Sequence, residues 1–200
     1  MNYYYQIEGK LRNNIGDVLQ GMVAKQFLPP MARSVDREAL GRMPADSPGF
    51  LIANGWYLHD LSCFPPPPNI APLYIAVHIA RSDFLHSKVV RAHFSRHAPI
   101  GCRDQKTLHL FLGWGIPAYY SGCLTVTVNQ LVGPQVSTTD EVLLVDGIDH
   151  PIPNSVIQRI ESQLGSPCIR ISHDPSKTEG DFETYCLNSE SAMFELLHRY

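Results

Sequence analysis

The chain predicts an α/β fold built around a largely parallel sheet. Short apolar runs at 50–54, 73–78, 141–145 and 168–172 have the length of buried strands. Helical patterns lie between them, and parallel strands need crossovers of that kind. Polar residues close several of these runs, and open α/β sheets bind ligands beyond the C-terminal ends of their strands.

Each element has its own signal. Asn14-Ile-Gly-Asp17 opens a helix carrying Val18, Leu19, Met22, Val23 and Phe27, and Pro29-Pro30 stops it. The run at 50–54 leads into Gly55-Trp56, which reads as a tight turn with a packed indole or as part of a cleft. Phe64-Pro-Pro-Pro-Pro68 is a stiff extended loop with no place in a central strand. After the strand at 73–78, the basic stretch 87–97 reads as a helix that ends before Pro99. Asp104 is a good N-cap for a helix in which Leu108, Phe111 and Leu112 share a face. Leu124, Val126 and Val128 then alternate with Thr125 and Thr127, predicting a strand over 118–128.

Residues 133–140 read as a connection, after which the pattern restarts. Strand 141–145, helix 154–164, strand 168–172 and helix 189–200 follow. The expected organisation is an N-terminal α/β domain over 1–135 and the beginning of a second over 136–200. Two strand–helix steps are too few for a complete sheet, so either this unit docks on the first domain or, the expectation favoured, the chain is a truncated form of a longer protein. An exposed apolar face on such a half-built unit would favour self-association.

Composition narrows the function. Two hundred residues with 44% apolar content can bury a sizeable core. A formal charge of −3 gives no basic field for nucleic acid. No apolar run approaches the roughly 20 residues that span a bilayer, and the N-terminus lacks the pattern of a signal peptide. A cytoplasmic protein is expected. The five cysteines contain no C-x-x-C pair and read as reduced, partly buried residues. Cys102 and Cys123 flank the suspected site, but nothing nearby marks either as a nucleophile.

There is no G-x-S-x-G elbow, no Walker loop and no G-x-G-x-x-G fingerprint. His93 and His97 have the i, i+4 spacing of two metal ligands. Phe94 stands where H-e-x-x-H would need Glu, and no third ligand is evident, so no metal is expected. With Lys88, Arg91 and Arg96 they read as a solvated basic face, one that could meet an acidic substrate. Pro99-Ile-Gly-Cys-Arg-Asp104 is more suggestive. The first-turn N–H groups of the following helix and the Arg103 guanidinium would converge on one point suited to a carboxylate or phosphate. The same residues also read as a capped helix with a surface arginine. Asn54, His78, Arg103, Asp104, Asp146 and His173 all fall at predicted strand ends.

Several spaced segments resemble the polysaccharide pyruvyl transferase family. They are Asn14-Ile-Gly-Asp17 with Gln20, Ala24 and Phe27-Leu-Pro29; Val35-Asp-Arg-Glu-Ala-Leu40; Asn54-Gly-Trp56; 75–78; Pro99-Ile-Gly-Cys-Arg-Asp104; and Gly115-Ile116 through Tyr120-Ser-Gly-Cys-Leu-Thr-Val-Thr127. The resemblance is strongest over 99–128. It implies a two-domain, glycosyltransferase-B-like architecture with the active site between two Rossmann-like halves. It implies transfer of the enolpyruvyl group of phosphoenolpyruvate to a sugar of a surface polysaccharide or its precursor, giving a pyruvate ketal and phosphate. Phosphoenolpyruvate would be the donor substrate, with no other cofactor. A saccharide would be the acceptor, with the protein working in the cytoplasm or peripherally at the inner membrane face.

Under that resemblance Arg103 and Asp104 belong to the donor subsite, and His78 and Asn54 are acceptor-side or acid/base candidates, with His78 taken as the catalytic one. Asn54 and His173 line the acceptor side or the cleft. Asp17 is read as a helix cap beside it. The family's later Arg-Leu-His motif, which completes the donor site, is not in this sequence. Weak or absent activity is therefore expected of this chain. The alternatives are a non-catalytic homologue that binds a sugar or an anion, and a glycosyltransferase using a sugar nucleotide on the same architecture.

Overall fold

The computed structural model describes residues 1–7, 15–46, 48–57, 61–128, 142–146 and 151–172. Six strands form one parallel sheet: β1 (Asn2–Ile7), β2 (Arg33–Asp36), β3 (Gly49–Tyr57), β4 (Ile70–Ile79), β5 (Ile100–Cys102) and β6 (Ala118–Tyr120). Their spatial order is β2-β1-β3-β4-β5-β6, and every neighbouring pair is parallel. This is the expected α/β fold. The chain reverses its winding direction between β1 and β3, the kind of switch point at which open α/β sheets leave a crevice. A separate two-stranded parallel sheet joins β7 (Val142–Asp146) to β8 (Cys168–Ser172), with a helix, Asn154–Leu164, between them in sequence.

The sheet has two differently furnished faces. One carries the helices α2 (Lys88–Arg96) and α3 (Gln105–Gly113) and the 3-10 turn Arg37–Arg42. Its core gathers Leu40, Leu51, Ala53, Tyr57, Ile70, Tyr74, Val77, Ile79, Phe94, Ile100 and Phe111. The other carries α1 (Ile15–Lys25), whose Val18 and Met22 pack on Tyr5, Ile7 and Ile52. Gly21 lets α1 lie close to β1: a Cβ there would stand 2.6 Å from the Gln6 carbonyl oxygen. A 3-10 turn, Leu124–Thr127, is pinned to α1 by Gln26 Nε2, which donates to Thr127 Oγ1 at 3.0 Å.

Local chemistry explains the boundaries. Ser87 caps α2 by accepting from Val90 N–H, and Asp104 caps α3 by accepting from Thr107 N–H. The cap on α3 is as read from sequence, but its buried face is Thr107 and Phe111, while Leu112 is exposed. β1 carries no clear alternation because both its faces are covered. Tyr4 meets one core and Tyr5 the other. The predicted strand at 118–128 is corrected. It stops at Tyr120, because Gly122 turns the chain at φ +71° and 124–127 closes into a 3-10 turn. The strand at 50–54 runs on to Tyr57, so Asn54 and Trp56 lie within β3 and neither follows it. The connection at 133–140, the helix at 189–200 and His173 lie outside the described residues.

One irregularity in β4 matters for the site. Ala53 pairs with Tyr74 but Gly55 pairs with Val77, so β4 holds one residue more than β3 over this interval. The extra residue falls at Ala76, which adopts φ +54°. The bulge reverses which residues face which core. Ile70 and Tyr74 point to the α2/α3 side before it, and Val77 and Ile79 do so after it. His78 is thereby turned to the α1 side.

Two left-handed residues make a stability test. A Cβ on Gly55 (φ +92°) would sit 2.6 Å from Gln20 Oε1, so Gly55→Ala should lose about 2 kcal/mol or more in urea unfolding. Ala76→Gly should be neutral or slightly stabilising, because glycine removes the roughly 1–2 kcal/mol steric cost of the left-handed region. A clear loss of stability in Ala76→Gly would refute the assigned bulge.

Candidate functional site

The ends of β4 and β5 bring two sequence-predicted residues, His78 and Asp104, into contact. His78 Nδ1 lies 2.6 Å from Asp104 Oδ2. Asp104 also accepts from Thr107 N–H at 2.9 Å and from the Thr107 hydroxyl at 3.1 Å. The Thr107 hydroxyl oxygen in turn accepts from Ile79 N–H at 3.2 Å. Burial alone would raise the Asp104 carboxyl. The hydrogen bonds from His78 and from Thr107 outweigh it and hold the group below its usual value. Asp104 is therefore ionised and can only accept, so His78 Nδ1 carries the proton and donates. Nε2 is left with its lone pair, as a base or, once protonated, as an acid.

Trp56 completes this group. It is the register partner of His78 across β3 and β4, and its ring meets the imidazole edge to face at 5.6 Å. The indole is 40% exposed at the strand end, a flat apolar surface beside an acid/base group. Arg103 follows β5 directly, its N–H donating to the Val77 carbonyl at 2.8 Å. Its side chain is partly exposed and, among the described residues, its guanidinium has no partner. The carboxylate of Asp104 itself occupies part of the first turn of α3, taking Thr107 N–H.

Asp17 and Asn54 belong to a second, more buried polar group at the β1–β3 switch point. Gln20 Nε2 donates to Asp17 Oδ1 at 3.0 Å, and Arg37 Nη1 lies 3.9 Å from the same oxygen. Asn54 Nδ2 donates to the Gln20 carbonyl at 2.9 Å, tying β3 to α1. Asn54 is only 3% exposed, and its Oδ1 has no hydrogen-bond partner. Gln20, Arg37, Glu38, Thr107 and Ser121 were not singled out as site residues from sequence. Of these, Thr107 had a signal: it stands three residues after a helix N-cap.

No family model, curated protein or solved structure matches the chain. The functional reading that follows therefore rests on the site geometry taken together with the resemblance noted in the sequence. No helix among the described residues is long and apolar enough to cross a membrane. Among them, too, no group of three His, Cys, Asp or Glu side chains gathers to hold a metal.

The basic face expected at 87–97 is corrected in part. His93 is packed between Phe64, Tyr74 and Phe94, with Nε2 2.8 Å from the Tyr74 hydroxyl. Burial, then His97, then Arg96, push its imidazolium down to about 3. Arg91 lies over the Trp114 ring at 4.5 Å. A small cavity of about 300 Å³ separates α2 from the proline run 65–68. Cys63, Cys102, Cys123 and Cys168 are free thiols, and burial followed by the Asp104 charge raises Cys102 to about 12. That value makes Cys102 inert as a nucleophile at neutral pH.

Two predictions follow from these environments. Asp104→Ala should lose about 1–3 kcal/mol in urea unfolding, since it removes a helix cap and the partner of His78 together. Asp104→Asn keeps an acceptor for Thr107 N–H and should lose less. For His93, the unfolded chain titrates near 6.5 and the folded chain near 3. Between these values the unfolded state binds the extra proton, so stability falls as pH drops through that window, with a slope approaching about 1.4 kcal/mol per unit. His93→Gln, which can still bond Tyr74, should flatten the melting temperature against pH between 6.5 and 4. An unchanged acid slope would refute the buried neutral state.

Proposed function

We propose that this chain is built for pyruvyl transfer from phosphoenolpyruvate to a saccharide, on the glycosyltransferase-B-like plan of two Rossmann-like units. The observation that carries the reading is the His78–Asp104 pair at the C-terminal edge of the sheet, with Trp56 against the imidazole and Arg103 next to Asp104 in the chain. The reaction needs a proton delivered to the methylene carbon of phosphoenolpyruvate and a proton taken from the attacking sugar hydroxyl. That hydroxyl oxygen bonds to the central carbon, the carbon–oxygen bond to phosphate breaks, and a second hydroxyl closes the ketal as its proton passes to the departing phosphate. His78 Nε2, with Nδ1 fixed by Asp104, suits one of these transfers. The Arg103 guanidinium suits the carboxylate or phosphate of the donor. The Trp56 face suits the apolar face of a sugar ring.

A second reading, sugar or anion binding without turnover, is favoured by one observation. Among the described residues Arg103 is the one cation proposed for this group, against a donor of up to three negative charges. The site on this plan takes its remaining cations from elsewhere.

The two readings separate in a titration. Phosphoenolpyruvate should bind the chain, and Arg103→Ala should weaken binding about tenfold to a hundredfold, as expected for a charge-assisted hydrogen bond. His78→Ala should leave binding within a few-fold while abolishing the weak phosphate release expected of the parent chain with a galactosyl acceptor. Binding without phosphate release in the parent chain would favour the second reading. Absence of phosphoenolpyruvate binding, or preference for a nucleotide sugar, would overturn the first.

A further inference from the structure

His78 reaches the α1 side of the sheet only because β4 contains its extra residue. Without the bulge, the alternation that points Ile70 and Tyr74 at the α2/α3 core would continue through Ala76 to His78. The imidazole would then enter an apolar core, away from Trp56. The bulge is therefore a condition of the site, and something must hold it, since alanine at φ +54° opposes its own conformation.

The holding group comes from the far end of β6. Ala76 N–H donates to Ser121 Oγ at 3.1 Å. The Ser121 hydroxyl lies 3.1 Å from both the Cys102 and the Gly122 carbonyl oxygens, either of which can take its proton. Ser121 N–H donates to the same Cys102 carbonyl at 2.9 Å. A single serine thus meets the bulged N–H of β4 and the last carbonyl of β5. It does so one residue before Arg103, whose own N–H is fixed on Val77. No ladder neighbour does this, because β4 and β5 pair only at Val77 and Cys102.

We infer that Ser121 is a positioning residue: its hydroxyl stabilises the Ala76 bulge and so selects the face of the sheet on which His78 meets Asp104 and Trp56. It acts through backbone geometry and touches neither His78 nor a substrate. The functional weight of this rests on the proposed role of His78, but the structural claim does not.

The test reads the imidazole directly. Long-range ¹H–¹⁵N correlation of the histidine-labelled full chain reports which ring nitrogen of His78 carries the proton. The parent chain should show the Nδ1–H form, held by Asp104. Ser121→Ala should lose it, shifting His78 to the Nε2–H form preferred by an unconstrained imidazole, and should lose the Trp56–His78 cross-peaks. Ser121→Thr, which restores the hydroxyl, should keep both. Should Ser121→Ala fail to fold, Ser121→Cys, which keeps the side-chain size but replaces the hydroxyl with a weakly hydrogen-bonding thiol, carries the same readout. Retention of the Nδ1–H form and the cross-peaks in the folded hydroxyl-less variant would overturn the inference, whether or not the parent chain releases phosphate. Absence of phosphate release with the tautomer shift intact would count against the pyruvyl-transfer reading alone.

Discussion

The Asp104 carboxylate is the interaction on which the candidate site depends. It caps α3, accepts from His78 on β4, and binds the Thr107 hydroxyl, which itself holds Ile79 N–H at the end of β4. One anionic side chain thereby fixes the end of β4, the turn after β5 and the start of α3 in a single arrangement. Each bond is of ordinary strength. Their effect comes from convergence, because moving any one element breaks contacts belonging to the other two. The carboxyl stays ionised despite partial burial for the same reason: the donors around it outweigh its loss of water.

A parallel sheet brings strand ends together but does not decide which side chains are presented there. That decision follows from alternation, and alternation can be shifted by one residue. Along β3 the side chains keep alternating between the two cores despite the left-handed Gly55, with Leu51, Ala53 and Tyr57 on one side and Ile52 on the other. Asn54 and Trp56 accordingly point the same way as Ile52, toward α1. On β4 the bulge at Ala76 supplies the shift that brings His78 to the same side as Trp56. The polar site thus lies on the face with one long helix, while the aromatic core fills the face with two.

Much of this was legible in the residues. Helix 154–164 and strand 168–172 fall where their periodicity places them, and the Asp104 cap follows from side-chain chemistry alone. Strand β1 was not legible, because Tyr3-Tyr4-Tyr5 shows no alternation when both faces are buried. The 3-10 turn at 124–127 was hidden by a genuine period-two pattern, which a left-handed glycine two residues earlier prevents from extending the sheet. Proximity to strand ends drew attention to His78, Arg103 and Asp104, but did not show that Asp104 would hold His78. That pairing joins residues 26 positions apart, and it depends on a bulge whose only local sign is an alanine in the middle of an apolar strand.

The two well-defined histidine environments explain why only one of them suits proton transfer. His93 lies among Phe64, Tyr74 and Phe94, and the buried Tyr74 hydroxyl, itself driven well above its usual range by desolvation, keeps its proton and donates to Nε2. Protonating His93 would place a cation in an aromatic core beside His97 and Arg96, so the ring stays neutral at ordinary pH. It has structural work and no proton to exchange. His78 has the reverse arrangement. Its Nδ1 faces an ionised carboxylate that can balance an imidazolium, and its ring lies at the partly exposed end of the sheet. A proton can therefore arrive at Nε2 and leave it without disturbing either core, which is what acid/base chemistry at this edge requires.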